Sequence, residues 1–482
     1  MSTLNNDELR AIAYFGIGVS SEGGDLSYNL SYAGKTIHEK DGSVKLEPYQ
    51  GSNSGYSIGT LQIDFGSHKE DAVSLVNSFN EWARVKNPAW ELTSEQQSLF
   101  SFDLGRDGNH IRDPNFDSDV EKYSEKKSIP SNIMPASGAD IDQKFKSHLI
   151  EFLATDSGKS FIHQRDFAQA DELAVKISSS LNSANFYINS TPQEQAKIFS
   201  VVGKSYNQSK VAGNHILRDI RLNKINNLED INREISGLVK RDPKHPDQPT
   251  YMESGRDAAL RGAETFNALR NASEHNPLHA HWQAVMANPL VDPTQLHADP
   301  EHPHLAQQYA TVKALFVDPV QGKAFVEALE HGGSHTYGDP AKSNSRGFYA
   351  EGKDFVQWDR DGHGRAFVGG QWSEVARSEL ALAHNPDGTL DLTVNRNGQP
   401  HRLLHVTHPS LHHHRHASAQ AHHSDEAGTL HPGTSARATS GNPPFSSTPT
   451  ATHAQNAARH DTPVQAAEPV LYTPPTYPPR SD

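Results

Sequence analysis

Cysteine is absent from the 482 residues, which excludes disulfides, thiolate zinc sites and a cysteine nucleophile and leaves the redox compartment open. Positive charge is in deficit: 44 Lys and Arg face 58 Asp and Glu, for a formal net charge of −14. A protein that grips nucleic acid through its phosphates carries the opposite balance, so no nucleic-acid partner is expected. No stretch approaches the roughly 18 uninterrupted apolar residues of a membrane span, so none is expected. The first residues, MSTLNNDELRAIAYFG, lack the basic and apolar regions of a signal peptide. HExxH and P-loop motifs are missing too, and neither a metal nor another cofactor is expected.

What is present divides along the chain. Residues 6–18 carry apolar Leu9, Ile12, Ala13 and Ile17 at helical spacing behind Asn6 as expected N-cap, with a stop expected near Gly16 or Gly18. From 28 to 66 the text turns to Tyr, Ser, Thr, Ile and Gly with turn signals KDGS and GSNSG, predicting a small antiparallel hairpin or three-stranded sheet. Helical patterns follow at 69–85, 93–103 and 139–154, and another opens at Thr191 as N-cap, with Pro192 first in the helix and Glu194 closing a capping box. KRDPKHPDQPT (240–250), with three prolines among charges, predicts a linker over 239–252. Helices near 256–272, 304–316 and 319–331 and a β-rich stretch at 345–407, with a hairpin signal at Asn397-Gly398, predict a second, smaller α+β unit over 253–407. The tail, 408–482, is rich in Ser, Thr, Pro, Ala and His and too poor in apolar residues to offset the entropy of ordering it, so disorder is expected.

The chemistry concentrates near the N-terminus. SSEGG (20–24) sets one glutamate among small residues at a helix exit, and GYSIGTLQIDFG (55–66) follows. Cleaving a glycosidic bond near neutral pH needs a carboxylic acid that is still protonated, placed against the leaving oxygen. A partly buried glutamate with glycines beside it meets that need, because burial disfavours its charged form and small neighbours admit a sugar.

These two stretches resemble the phage-type lysozymes and pesticin-like muramidases of the lysozyme superfamily, and GTLQI resembles a stretch of lytic transglycosylases. The resemblance implies an α+β fold: a lysozyme-like domain over 1–238, mostly helical with a small β-hairpin lobe. It nominates Glu22 as general acid, Ser57 as the residue that positions the attacking water, and Gln62 as a glycan contact. Tyr56 and Tyr206, the latter in the stretch SYNQS, are added as substrate-binding residues. The family's second carboxylate has no counterpart just before Ser57; Asp25, Asp41 and Asp64 are the candidates, with Asp64 chosen for its place on the predicted strand. The implied substrate is the peptidoglycan glycan strand, and the implied activity a muramidase. The alternatives are a lytic transglycosylase and a non-catalytic glycan binder. Murein lies outside the cytoplasm, so a chain without a signal peptide is expected to be an antibacterial effector that leaves by a dedicated secretion apparatus, with the C-terminal region in delivery and an immunity protein as a further partner, or else a phage lysin.

Three other stretches are expected to be structural. DLGRDGNHIRD (103–113) and WDRDGHGRAF (358–367) read as turns, not calcium loops. HNPLHAHW (275–282) puts His279 and His281 two apart, off a common helix face. The tract HPSLHHHRH (408–416) reads as pH-sensitive tail.

Overall fold

The computed structural model describes residues 3–32, 34–38, 40, 44–48, 54–105, 140–241, 243–287 and 302–409. It is a mixed fold, helices with several small antiparallel sheets. The tail from 410 onward and most of 103–113 lie outside those residues.

Helix α1 (Asn6–Ala11) begins one residue earlier than expected: the cap is Asn5, which accepts from Glu8 N while Glu8 accepts from Asn5 N. The helix then widens into a π-helical segment, Ile12–Val19, in which every residue is buried. The expected stop at Gly16 or Gly18 does not occur. Both glycines serve close contact: a Cβ on Gly18 would lie 2.9 Å from the Thr60 methyl, and one on Gly262 would lie 2.2 Å from the Gly16 carbonyl oxygen. A glycine whose missing side chain admits another backbone need not end a helix. The chain turns only at Glu22.

The expected small sheet is present. Strands β1 (Ser31–Tyr32), β4 (Tyr56–Ile58) and β5 (Ile63–Asp64) pair antiparallel in the order β1-β4-β5, with Ser31 opposite Ser57 and Ser57 opposite Asp64. Strands β2 (Gly34–His38) and β3 (Val44–Pro48) form a separate ribbon. Tyr56, Ile58 and Phe65 join helices α2 (Lys69–Lys86), α3 (Ser94–Leu104) and α4 (Gln143–Ala154) in one apolar cluster around Phe79, Phe145 and Phe152.

A second and larger cluster gathers the N-terminal helix, α5 (Asp156–Leu181), the short α6 (Asn185–Ile188), α7 (Pro192–Gln208), α8 (Lys210–Arg221), α9 (Leu228–Leu238) and α10 (Tyr251–Asn271). Helix α7 has the predicted cap: Thr191 accepts from Glu194 N and Pro192 opens the helix. The segment 239–252 does not separate two cores. Arg241 reaches Glu253 at 2.7 Å and Thr250 caps α10, which lies directly on α7 and the N-terminal helix through Gly255 against Gln208 and Gly262 against Gly16. Helices α11 (Pro277–Ala287), α12 (Leu305–Val317) and α13 (Pro319–Glu330) extend the same core, their Trp282, Tyr309 and Phe316 rings meeting Phe15. Apolar faces decide this: α10–α13 bury theirs against the first 240 residues.

In the β-rich stretch, β6 (Ser334–Tyr337), β7 (Gly347–Glu351), β8 (Asp354–Trp358), β9 (His363–Val368) and β10 (Gln371–Ala376) form a five-stranded antiparallel sheet in the order β10-β9-β8-β7-β6, and β11 (Leu380–His384), β12 (Leu390–Arg396) and β13 (Gln399–Val406) a three-stranded one in the order β11-β12-β13. Their shared core holds Tyr349, Val356, Trp358, Leu392 and Val406. Phe348 and Phe355 turn the other way, onto Phe325 of α13. Asn397 and Gly398 both take positive φ (53° and 76°), the hairpin turn predicted for them. WDRDGHGRAF is also a hairpin, joining β8 (Asp354–Trp358) to β9 (His363–Val368).

Candidate active site

Glu22 stands at the exit of the π-helical segment, its N–H bonded to the Gly18 carbonyl. The next residue ties it to the β4–β5 turn: Gly23 N donates to Thr60 O at 2.9 Å. A Cβ at position 23 would fall 2.6 Å from Gly59 O, so only glycine permits this approach. The Glu22 side chain keeps 10 % of its surface exposed.

Two groups from the last turns of α7 meet its carboxylate. Lys204, with no exposed side-chain surface, pairs with Oε1 and also donates to Ser21 O at 3.0 Å. Asn207 donates to the same Oε1 at 3.0 Å and to Leu61 O at 3.2 Å, and its own oxygen accepts from Gln169 Nε2 at 3.0 Å. One side chain thus ties the glutamate to the turn, while α5 orients that side chain from behind. Burial pushes the Lys204 ammonium below the ordinary lysine range, against the upward pull of Glu22.

The turn itself is held from below. Asp166, buried on α5, accepts from Thr60 N at 2.8 Å and Leu61 N at 3.2 Å. Burial pushes its carboxyl up to about 6, although these two bonds pull the other way. The folded chain binds this proton more readily than the unfolded one, so the contribution to stability is fullest below the unfolded value of 3.8 and is lost as pH rises through about 6. The difference amounts to roughly 3 kcal/mol at neutral pH. Asp166→Asn keeps one oxygen acceptor and cannot ionise, so the melting temperature of that variant is expected to lose the decline between roughly pH 4 and pH 6 that Asp166 imposes on the wild type. Thermal scans of both proteins across that range check the difference in slope.

The residues nominated by sequence fare differently. Ser57, half-buried on β4, donates to Gln62 Oε1 at 3.0 Å, and Gln62 Nε2 donates to Gly59 O at 2.8 Å, so both belong to the turn beside Glu22. Gln62 takes a left-handed φ of 54°, unusual for a side-chain-bearing residue and a mark of a turn held by its surroundings. Asp64 lies opposite Ser57, but its carboxylate accepts from Gly55 N, Gly66 N and Ser67 Oγ, closing the ends of the hairpin. The Asp25 side chain and Asp41 lie outside the described residues.

Two nominations are corrected. Tyr56 is buried in the α2–α4 core with its hydroxyl bonded to Asp140, because alternation along β4 turns residues 56 and 58 inward; it offers no surface to a glycan. Burial alone would raise the Asp140 carboxyl, but Lys146, Tyr56 and Gln143 outweigh it and hold the group below its ordinary value. Tyr206 packs against Gly213 of α8, where a Cβ would fall 2.3 Å from its backbone. At about 100° per residue, position 206 points away from the face that carries Lys204 and Asn207. Asn207, its neighbour in the same stretch, is the residue that meets Glu22.

Lys204, Asn207, Gln169 and Asp166 escaped the sequence reading. The one available signal is the charge of Lys204 in the otherwise uncharged run IFSVVGKSYNQ of α7, since a lysine among core positions needs a partner.

Among the described residues one trio could hold a metal: His215, Asp219 and Glu234. Arg218, always a donor, donates to His215 Nδ1 at 2.9 Å, which leaves the neutral ring's proton on Nε2, directed at Glu234 at 2.8 Å. Nε2 is then a donor and not a ligand, and Arg218 and Lys224 already balance Asp219. The trio is a surface ion-pair network. His281 is a core residue, its ring against Phe367 and Trp372, and burial pushes it down to about 4. Among the described residues no helix is long and apolar enough to cross a membrane.

No protein-family model, curated protein or solved structure matches this chain.

Proposed function

We propose that this protein cleaves the β-1,4 glycan backbone of peptidoglycan, in a lysozyme-like arrangement with Glu22 as the general acid. The observation that carries the reading is the setting of Glu22: nearly buried at a helix exit, followed by two glycines and bonded through Gly23 and Asn207 to the turn that follows Ser57. A carboxyl held this way has one sheltered side and one side open to a ligand, as an acid aimed at a glycosidic oxygen requires. The motif order that resembles the lysozyme superfamily, SSEGG and then GYSIGTLQ, supports the same reading.

The engagement of Asp64 by two backbone N–H groups and Ser67 favours a one-carboxylate route. There the attacking oxygen is either a water held at Ser57 or a hydroxyl of the sugar itself, as in lytic transglycosylation. Digestion of purified sacculi followed by mass spectrometry separates the outcomes. Glycan cleavage is expected, giving new reducing ends if water attacks and anhydro ends, lighter by one water, if the sugar closes on itself. Free stem peptides on intact glycan would point to an amidase, and binding without any product to a glycan-binding protein.

A further inference from the structure

We infer, on the reading of Glu22 as general acid, that Lys204 is the positioning residue that keeps the acid's proton: the pair shares one proton, and a glycan covering Glu22 moves it from ammonium to carboxylate. A general acid must be protonated when the leaving oxygen arrives, yet Glu22 rests against a cation. If that cation were permanent, the carboxylate would stay charged and could donate nothing.

The geometry resolves this. Lys204 has no exposed side-chain surface, and its other described bond is to a neutral carbonyl, Ser21 O at 3.0 Å. Asn207 adds a neutral donor to the same Oε1 that Lys204 meets. Among the described residues no contact ends on Oε2, which leaves that oxygen for the substrate. The side chains around the pair on the β4–β5 turn are uncharged: Thr60, Leu61 and Gln62. On α5, Asp166 is bonded to the backbone of the turn, Arg165 pairs with Asp71, Asp171 with Arg10, and Glu172 acts on Tyr206; Lys313 of α12 acts on Asp166, and on α10, packed against α7, Glu253 pairs with Arg241, Arg256 with Asp257 and Glu264 with Lys197. Glu22 is the charge that acts on Lys204.

Such a pair has two forms of equal net charge, carboxylate with ammonium and carboxylic acid with amine. Water favours the first and a dry site the second, because each separated charge loses solvation on burial. The ammonium is already fully desolvated, and the water that stabilises the charged form reaches only the exposed tenth of Glu22. A sugar seated over Glu22 removes that water and tips the balance. An Nζ–H bond breaks as an O–H forms on Glu22 Oε1, and a half-turn of the carboxyl carries that O–H to the open position; it then breaks as the glycosidic oxygen takes the proton and keeps the electron pair of the cleaved C–O bond. The attacking water or sugar hydroxyl bonds to the anomeric carbon, and the proton it releases restores the pair.

The test uses the full chain, a soluble uncrosslinked glycan strand as substrate and release of new ends as readout across pH. Lys204→Arg keeps the cation and its bonds, but a guanidinium does not deprotonate. Its kcat is expected to fall about 100-fold or more with KM unchanged. Lys204→Met removes the group that delivers the proton, so Glu22 must take it from solvent. Activity is expected to persist at acidic pH, with the alkaline limb of the profile moved to lower pH. Wild-type turnover in Lys204→Arg, or an unshifted profile in Lys204→Met, overturns the inference while leaving Glu22 as the acid. A wild-type protein that releases no ends overturns the underlying reading, and the inference with it.

Discussion

Glu22→Gln is expected to lower glycan cleavage by about 10²–10⁴-fold, the usual contribution of a general acid, and also to destabilise the fold. The second effect arises because the substitution leaves the Lys204 ammonium, which has no exposed side-chain surface, without its counter-charge. Removing one partner of a buried pair costs about 3 kcal/mol or more. A loss of activity alone could then reflect unfolding, so the decisive protein is the double variant Glu22→Gln with Lys204→Met. Removing both charges should return stability to within about 1 kcal/mol of wild type, since well-packed apolar replacements of buried pairs are close to neutral. Cleavage should stay lost. Urea unfolding and the release of new reducing or anhydro ends on the three proteins separate the terms. A Glu22→Gln protein with wild-type turnover would end the enzymatic reading of this site.

Gly262→Ala should be strongly destabilising for a single added methyl group, and Gly237→Ala should have the opposite sign. At 262 the new Cβ would lie 2.2 Å from Gly16 O and 2.8 Å from Ser20 Oγ, so α10 and the N-terminal helix must move apart. Forcing extra volume into a filled contact costs about 1–3 kcal/mol, and the upper part of that range is expected where backbone is struck. At 237, exposed on α9, a Cβ meets nothing within 4 Å. There alanine should stabilise by up to about 1 kcal/mol through helix propensity alone. Denaturant midpoints measure both. The displaced segment leads directly into Glu22, so Gly262→Ala should also reduce cleavage by more than its loss of folded protein explains. Equal midpoints for the two variants would mean that the helices are not in contact at Gly16.

Much of the fold is written in short windows. The Thr191 cap, the Asn397-Gly398 turn and the paired strands between 28 and 66 each depend on a few adjacent residues whose backbone preferences and hydrogen bonds are local. The sequence also nominated the stretch around Glu22 and the turn at Ser57 and Gln62, because glycines at close approaches leave a mark in the chain. The same kind of mark misled at Gly16 and Gly18, which look like a helix end in one dimension and prove to be contact points in three.

The surroundings of Glu22 were decided elsewhere. Asn207 is 185 positions away in the chain and Lys204 nearly as far, and nothing in either local window says which helix face will meet a given carboxylate. Tyr56 reads as a ligand contact by motif and is core, because one alternation along β4 sends it inward. Residues 239–252 read as a linker by composition, yet the helices on either side bury their apolar faces in one core. By itself, then, the sequence determined which segments become helices, strands and turns and where the acidic group stands. The tertiary structure alone decided what charge lies beneath it, since burial and electrostatic pairing depend on distances in space, and these are set only when remote apolar faces pack.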